Sequence, residues 1–209
     1  MTKIAFFDVD GTMINVPHQL LKPTDKTIHA LKEFQKQGNF IVVASARGVK
    51  PECLDEIPFD GFIGCDGGYI EFHQEVLLNN VFTVKDLNLQ NSVYEATNGQ
   101  YIISERATSY FSDIDGELIK KHLKLYNGTD KLPEDYNDDW RFQNIKANTV
   151  TALFHNAKDL HEALDMLPQE WSINAYDTGH IRMDVHPQGY TKGTACAYLY
   201  QKLNIPKEN

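Results

Sequence analysis

The sequence has only three cysteines, Cys53, Cys65 and Cys196, scattered and odd in number. They make neither a disulfide framework nor a CxxC site, and a reducing cytoplasm is the simplest compartment for them. No apolar stretch approaches the ~20 residues needed to cross a bilayer, so no membrane partner is expected. The N-terminus, Met-Thr-Lys-Ile-Ala-Phe-Phe-Asp, lacks a long apolar h-region and reaches Asp8 at once, so it does not read as a signal peptide. Basic residues are in deficit: 20 Lys and Arg against 29 Asp and Glu leave a formal net charge of −9. A broad nucleic-acid surface needs a basic field, so no nucleic-acid partner is expected. A small phosphate ligand needs only a few local donors and stays open. His73, His122, His155, His161, His180 and His186 show no HExxH or comparable metal spacing and read as surface or packing residues. Internal repeats and low-complexity tracts are also lacking.

Apolar residues make up 42% of the 209, enough for a packed core in one or two domains. Ile4-Ala-Phe-Phe7 is a short continuous apolar run of the kind that suits a strand buried on both faces. Residues 24–37 follow as a helix: Thr24 can cap it, Ile28, Leu31 and Phe34 form a stripe, and Gly38 can end it. Phe40 to Ala44 is a second buried run. The second strand should therefore lie parallel to the first through a right-handed crossover. Residues 51–57 suggest a short helix, and residues 62–64 a weaker third strand.

After about residue 80 the pattern changes. Val150, Ala152 and Phe154 alternate with Thr149, Thr151 and Leu153, and Ile181, Met183 and Val185 alternate with Arg182, Asp184 and His186. Alternation marks half-exposed antiparallel strands. Leu160, Ala163, Leu164 and Leu167 between them have helical spacing. Residues 128–139 are polar and turn-rich, which predicts a surface loop, and Trp140 and Trp171 are expected to pack in this region. A last helix is expected after Thr191, to about Leu203, with Ala195, Leu199 and Leu203 on one face. The fold class is α/β: a doubly wound, Rossmann-like parallel sheet core, residues 1–80 plus 186–209, with an α+β domain inserted at 81–185.

The first strand runs directly into Asp8-Val9-Asp10-Gly11-Thr12. Side chains two apart on an extended chain point the same way. Two carboxylates thus project beyond the strand's carboxyl end, where open α/β sheets bind ligands. One carboxylate can attack phosphorus to form an acyl phosphate. The other can protonate the leaving oxygen and then activate water. A carboxylate facing a phosphate dianion needs a metal against repulsion, and Mg2+ suits oxygen ligands. A calcium loop is a poor fit, because its glycine comes at the sixth position and here it comes at the fourth. A solvated turn remains the plain alternative.

A hydrophobic strand followed by DxDGT resembles the first signature of the haloacid dehalogenase superfamily. Ala44-Ser45-Ala46-Arg47 looks like its second signature, in the Ala-Thr-Gly-Arg form of the Cof-like subfamily, with Ser45 and Ala46 in place of Thr and Gly. Cys65-Asp66-Gly67-Gly68 resembles, loosely, the subfamily's Asn-Gly-Ala stretch, and a plain turn is its equal rival. Gly189-Tyr-Thr-Lys192-Gly193 looks like the third signature. Lys192 is predicted at a helix start, where the macrodipole disfavours a cation unless an anion lies nearby. The insertion between the second and third signatures has the placement of a C2 cap.

The resemblance implies a magnesium-dependent phosphatase acting on a small phosphorylated metabolite such as a sugar phosphate. Asp8 is then the nucleophile and Asp10 the general acid/base, while Ser45, the Ala46 N–H and Lys192 hold phosphoryl oxygens. Mg2+ would be held by the Asp8 carboxylate, the Asp10 carbonyl and an acidic residue of a fourth signature. No match to that Gly-Asp-x-x-Asn-Asp stretch follows Lys192, so the expectation is a chain that continues past Asn209 in its parent and is inactive without that part. A phosphotransferase or phosphomutase with the same intermediate, and a noncatalytic phosphate-ligand binding protein, are the alternatives.

Overall fold

The computed structural model describes residues 1–127, 130–132 and 144–208. Trp140, and all of the turn-rich stretch 128–139 except 130–132, lie outside them. The chain divides into two compact units, Met1–Asn80 with Tyr190–Asn209, and Val81–Gly189.

The first unit is built on a five-stranded sheet in the order β1-β2-β3-β4-β5. β1 (Ile4–Phe7), β2 (Phe40–Ala44) and β3 (Gly61–Gly64) are parallel. β4 (Tyr69–Phe72) and β5 (Glu75–Asn79) continue the sheet as antiparallel strands. Helix α1 (Asp25–Lys36) crosses from β1 to β2. The Thr24 side chain caps it by accepting from the Thr27 N–H at 3.2 Å. Ile28 and Leu31 are buried with Ile41, Val43 and Leu54 on one face of the sheet. Each such side chain contributes about 1.5–3 kcal/mol by leaving water.

Helix α5 (Lys192–Lys202) covers the other face: its Ala195 and Leu199 are buried with Val42, Ala44, Ile63 and Ile70. Helices on both faces make the core doubly wound, as expected. Two local readings differ. The helix expected over 51–57 is only a 3-10 turn, Glu52–Leu54, and the β4–β5 hairpin had no counterpart in the sequence reading.

The second unit is a five-stranded antiparallel sheet in the order β7-β6-β8-β10-β9. Its strands are β6 (Gln100–Ser104), β7 (Ser109–Phe111), β8 (Thr149–Leu153), β9 (Ser172–Tyr176) and β10 (Arg182–His186). One face packs Tyr101, Ile103, Val150, Ala152, Met183 and Val185 against α2 (Val84–Ala96) and α4 (Ala157–Met166). The other face packs Ile102, Phe111 and Leu153 against α3 (Glu117–Asn127). Leu153, read from alternation as facing outward, is therefore buried, because α3 covers it. Trp171 packs at the rim of the larger core, its ring 5.1 Å from that of Phe82.

No helix among the described residues is long and apolar enough to cross a membrane. Cys65 is buried, and Cys53 and Cys196 are half-buried.

Candidate active site

Chain reversal after β1 is fixed by a compact set of backbone bonds. The N–H groups of Thr12, Met13 and Ile14 all donate to the Val9 carbonyl, at 3.2, 2.9 and 3.0 Å, and Gly11 N–H donates to the Ile14 carbonyl at 2.7 Å. Gly11 sits at φ +82°, a conformation that glycine adopts without a Cβ clash. Val9 is fully buried, which leaves its neighbours Asp8 and Asp10 on the side that reaches solvent. The β1–β2 register, Phe7 against Val43, sets this turn beside the one that follows Ala44.

Lys192, the first residue of α5, reaches the end of β1. Its Nζ donates to Asp8 Oδ1 at 2.9 Å and lies 3.6 Å from Asp66 Oδ1. A cation in a helix's first turn opposes the macrodipole, and the sequence reading called for an anion beside it. The protein supplies two carboxylates of its own there. Burial pushes the ammonium pKa down, but the bonds and charges of Asp8 and Asp66 outweigh it, and Lys192 stays protonated above its ordinary range.

A close approach makes this meeting possible. A Cβ on Gly67 would lie 2.4 Å from the Thr191 carbonyl oxygen, so only glycine lets the 65–67 turn touch the start of α5. Thr191 and Thr194 close that helix start with a reciprocal capping box.

At the second turn, Ser45 is buried at the end of β2 and its Oγ accepts from the Arg47 N–H at 3.2 Å. A hydroxyl so placed still has its own proton to donate. Ala46 is exposed on the same turn. The Ser45 carbonyl accepts from Asp66 N–H and the Arg47 carbonyl from Cys65 N–H, which ties this turn to the one after β3. Arg47 then reaches Asp10 with a two-pronged grip, Nε to Oδ2 at 2.9 Å and Nη2 to Oδ1 at 2.8 Å. That bond, more than the cationic charges of Arg47 and Lys192, holds the Asp10 carboxyl below its ordinary range against the opposing effect of burial.

All five residues singled out in the sequence, Asp8, Asp10, Ser45, Ala46 and Lys192, thus lie on two adjoining turns, after β1 and after β2, and one helix start of the first unit. Two more charged side chains join them. Arg47 stood in the Ala-Ser-Ala-Arg stretch without an assigned role, although it lies two residues from Ser45. Asp66 stood in a stretch that resembles the subfamily's Asn-Gly-Ala only loosely, with a plain turn as its equal rival, and its pairing with Lys192 has no local signal. Among the described residues no group of three or more His, Cys, Asp or Glu side chains could hold a metal ion.

A family model described as haloacid dehalogenase-like hydrolase matches residues 5–209. The chain belongs to that family. The resemblance read from DxDGT, the Ser45 turn and Lys192 is therefore borne out at the level of family, fold and enzyme class. Among relatives, the chain is 24% identical over 214 residues to YkrA of Bacillus subtilis (strain 168), whose name assigns it provisionally as a phosphatase. That match covers 97% of this chain and 75% of YkrA. Among solved structures, a phosphatase of the haloalkanoate (HAD) superfamily from Bacteroides thetaiotaomicron superposes with a TM-score of 0.83 at 17% identity, covering 99% of this chain and 74% of that one. A sugar phosphatase of HAD subclass IIB superposes with a TM-score of 0.75 at 20% identity, over 99% of this chain and 77% of that one. At such identities these two structures speak for the fold alone.

Proposed function

We propose that this haloacid dehalogenase-like hydrolase cleaves a small phosphorylated metabolite, such as a sugar phosphate, through an aspartyl phosphate on Asp8. The observation that carries this reading is the Lys192 ammonium 2.9 Å from Asp8 Oδ1 at the carboxyl end of β1. Asp8 attacks phosphorus, a carboxylate–phosphorus bond forms, and the bond to the leaving oxygen breaks. Asp10 gives that oxygen a proton in the first step and takes one from water in the second. Ser45 Oγ–H and the Ala46 N–H bind phosphoryl oxygens, and Lys192 offsets charge where it concentrates, an effect typically of ~2.7–4 kcal/mol for one well-placed donor. The second unit is the inserted cap of the resemblance.

The approach of Asp8 to a phosphate dianion is opposed by about 4 kcal/mol per pair of unit charges at ~4 Å and an effective dielectric of 20. The Asp8 carboxylate and Asp10 carbonyl are hard oxygen donors, and Mg2+ commonly takes one or two carboxylates plus substrate oxygens and water. These two donors fit such a partial set. Mg2+, when bound there, supplies positive charge against that repulsion.

The test is phosphate release from a panel of sugar phosphates, with and without Mg2+, by protein expressed from its whole open reading frame. Magnesium-dependent release that is lost in Asp8→Asn is expected. Release that persists in Asp8→Asn would refute the role of Asp8.

A further inference from the structure

The residues that converge at the candidate site do not form a cationic pocket. Three carboxylates, Asp8, Asp10 and Asp66, face two cations, Lys192 and Arg47. Arg47 is committed to Asp10 through both of its contacting nitrogens. Lys192 is therefore the cation placed to meet a phosphoryl group, and two carboxylates already draw on it.

Asp66 holds its place at some conformational cost. Cys65, Asp66 and Gly67 follow one another at φ +52°, +51° and +104°. Left-handed backbone is uncommon for a cysteine and tolerated by aspartate, and it persists only where the surroundings hold it. Here the Cys65 and Asp66 N–H groups are held by the Arg47 and Ser45 carbonyls, and Gly67 lies against the Thr191 carbonyl. The outcome is an Asp66 carboxylate beside the Lys192 ammonium, on a turn separate from the one that carries Asp8.

We infer that Asp66 is a positioning residue that shares the Lys192 ammonium with Asp8 and thereby limits how tightly the site holds free phosphate. The inference rests on the reading of Asp8 and Lys192 as the phosphoryl site. An ammonium has three protons. Asp8 takes one, and attraction to Asp66 draws the group toward a second anion. A phosphate ion competes with Asp66 for what remains. Tight binding of the product slows turnover, whereas an interaction made only in the transition state speeds it. A carboxylate that competes for the ammonium moves the balance toward release.

Asp66→Asn isolates the charge. The amide keeps the shape and an acceptor oxygen, and asparagine visits left-handed backbone readily, so the turn is expected to hold. Binding of inorganic phosphate, followed by 31P NMR titration, should tighten roughly three- to tenfold in Asp66→Asn at low ionic strength, with the gap narrowing as salt screens it. A double-mutant cycle shows whether the effect passes through the lysine. Lys192→Ala should weaken phosphate binding, and the gain from Asp66→Asn should disappear in the Lys192→Ala background. Unchanged or weaker phosphate binding in Asp66→Asn would overturn the inference, and so would a gain that persists undiminished without Lys192. Phosphate binding that Lys192→Ala leaves unaltered would instead overturn the phosphoryl-site reading, and the inference with it.

Discussion

The guanidinium of Arg47 grips both carboxylate oxygens of Asp10, at 2.9 and 2.8 Å, and so favours the ionised acid. An ionised Asp10 is ready to accept a proton from water, as the second half of the proposed reaction needs. To donate a proton in the first half, it must leave that grip or share it with the substrate. The fork geometry of arginine makes this a directional contact that a lysine, a point charge, does not reproduce.

Arg47→Ala should therefore lower kcat by roughly ten- to a hundredfold, the scale set by a misplaced catalytic group. The acid limb of the rate profile should move to higher pH as Asp10 returns toward its ordinary range. Stability should change little, because both side chains are about half exposed and exposed pairs contribute ~0–1 kcal/mol. That small contribution is present above the ordinary carboxylate pKa and fades as pH falls through the lowered one. Arg47→Lys should recover only part of the loss. The check is a pH–rate profile beside a thermal unfolding curve, and a lower unfolding midpoint with an unshifted profile would make Arg47 structural.

Gly67→Ala tests the close approach between the 65–67 turn and α5. The new Cβ would meet the Thr191 carbonyl oxygen at 2.4 Å, on a residue at φ +104°. Backbone strain of this kind costs on the order of 1–3 kcal/mol before the clash is added. The unfolding midpoint should fall, and phosphate release should fall with it as Lys192 moves off Asp8. Gly11→Ala meets no atom within 4 Å and has only its φ of +82° against it, so its destabilisation should be smaller. Equal midpoints for the two variants would contradict the packing argument.

The second unit has a pH response of its own. Nδ1 of His122 on α3 lies 3.0 Å from Nε2 of His180. Burial first, then His180 and Arg182, push the His122 pKa from 6.5 down to about 4. His180 is lowered as well, by burial, Arg182 and Lys121, with Asp184 opposing. Between these values the unfolded chain binds a proton that folded His122 refuses, so stability falls as pH falls from 6.5 toward 4. The loss from His122 is on the order of 2–3 kcal/mol at the bottom of that window. Unfolding midpoints measured from pH 7 downward should decline more gently in His122→Leu than in the parent chain. Parallel declines would show that the pair does not set the response.

The parts of the fold legible in the sequence are those whose signal is local. Ile4–Phe7 and Phe40–Ala44 are continuous apolar runs, Thr24 and Thr191 sit where caps belong, and Ala195 and Leu199 keep helical spacing. Helix α2 has no clear signal in the sequence although Thr83 and Asp86 form a full capping box, because buried Gln90 interrupts the apolar stripe of Leu87, Val93 and Tyr94. β5 has no alternating burial to betray it.

The same division holds at the candidate site. Asp8 and Asp10 announce themselves by adjacency at a strand end. Arg47 and Asp66 matter through partners brought close by the β1–β2–β3 register and by the Gly67–Thr191 contact, neither of which a linear motif records.

In the proposed reaction Asp8 carries the phosphoryl group. The most direct measurement is acid quench of the protein, expressed from its whole open reading frame, during turnover of a phosphate ester that it hydrolyses with Mg2+ present. Peptide mass spectrometry then locates the label. One phosphoryl group is expected on the peptide that contains Asp8, absent from Asp8→Asn and accumulating in Asp10→Asn when the ester has a good leaving group. Turnover with the phosphoryl group on another residue, or with label retained in Asp8→Asn, would contradict it.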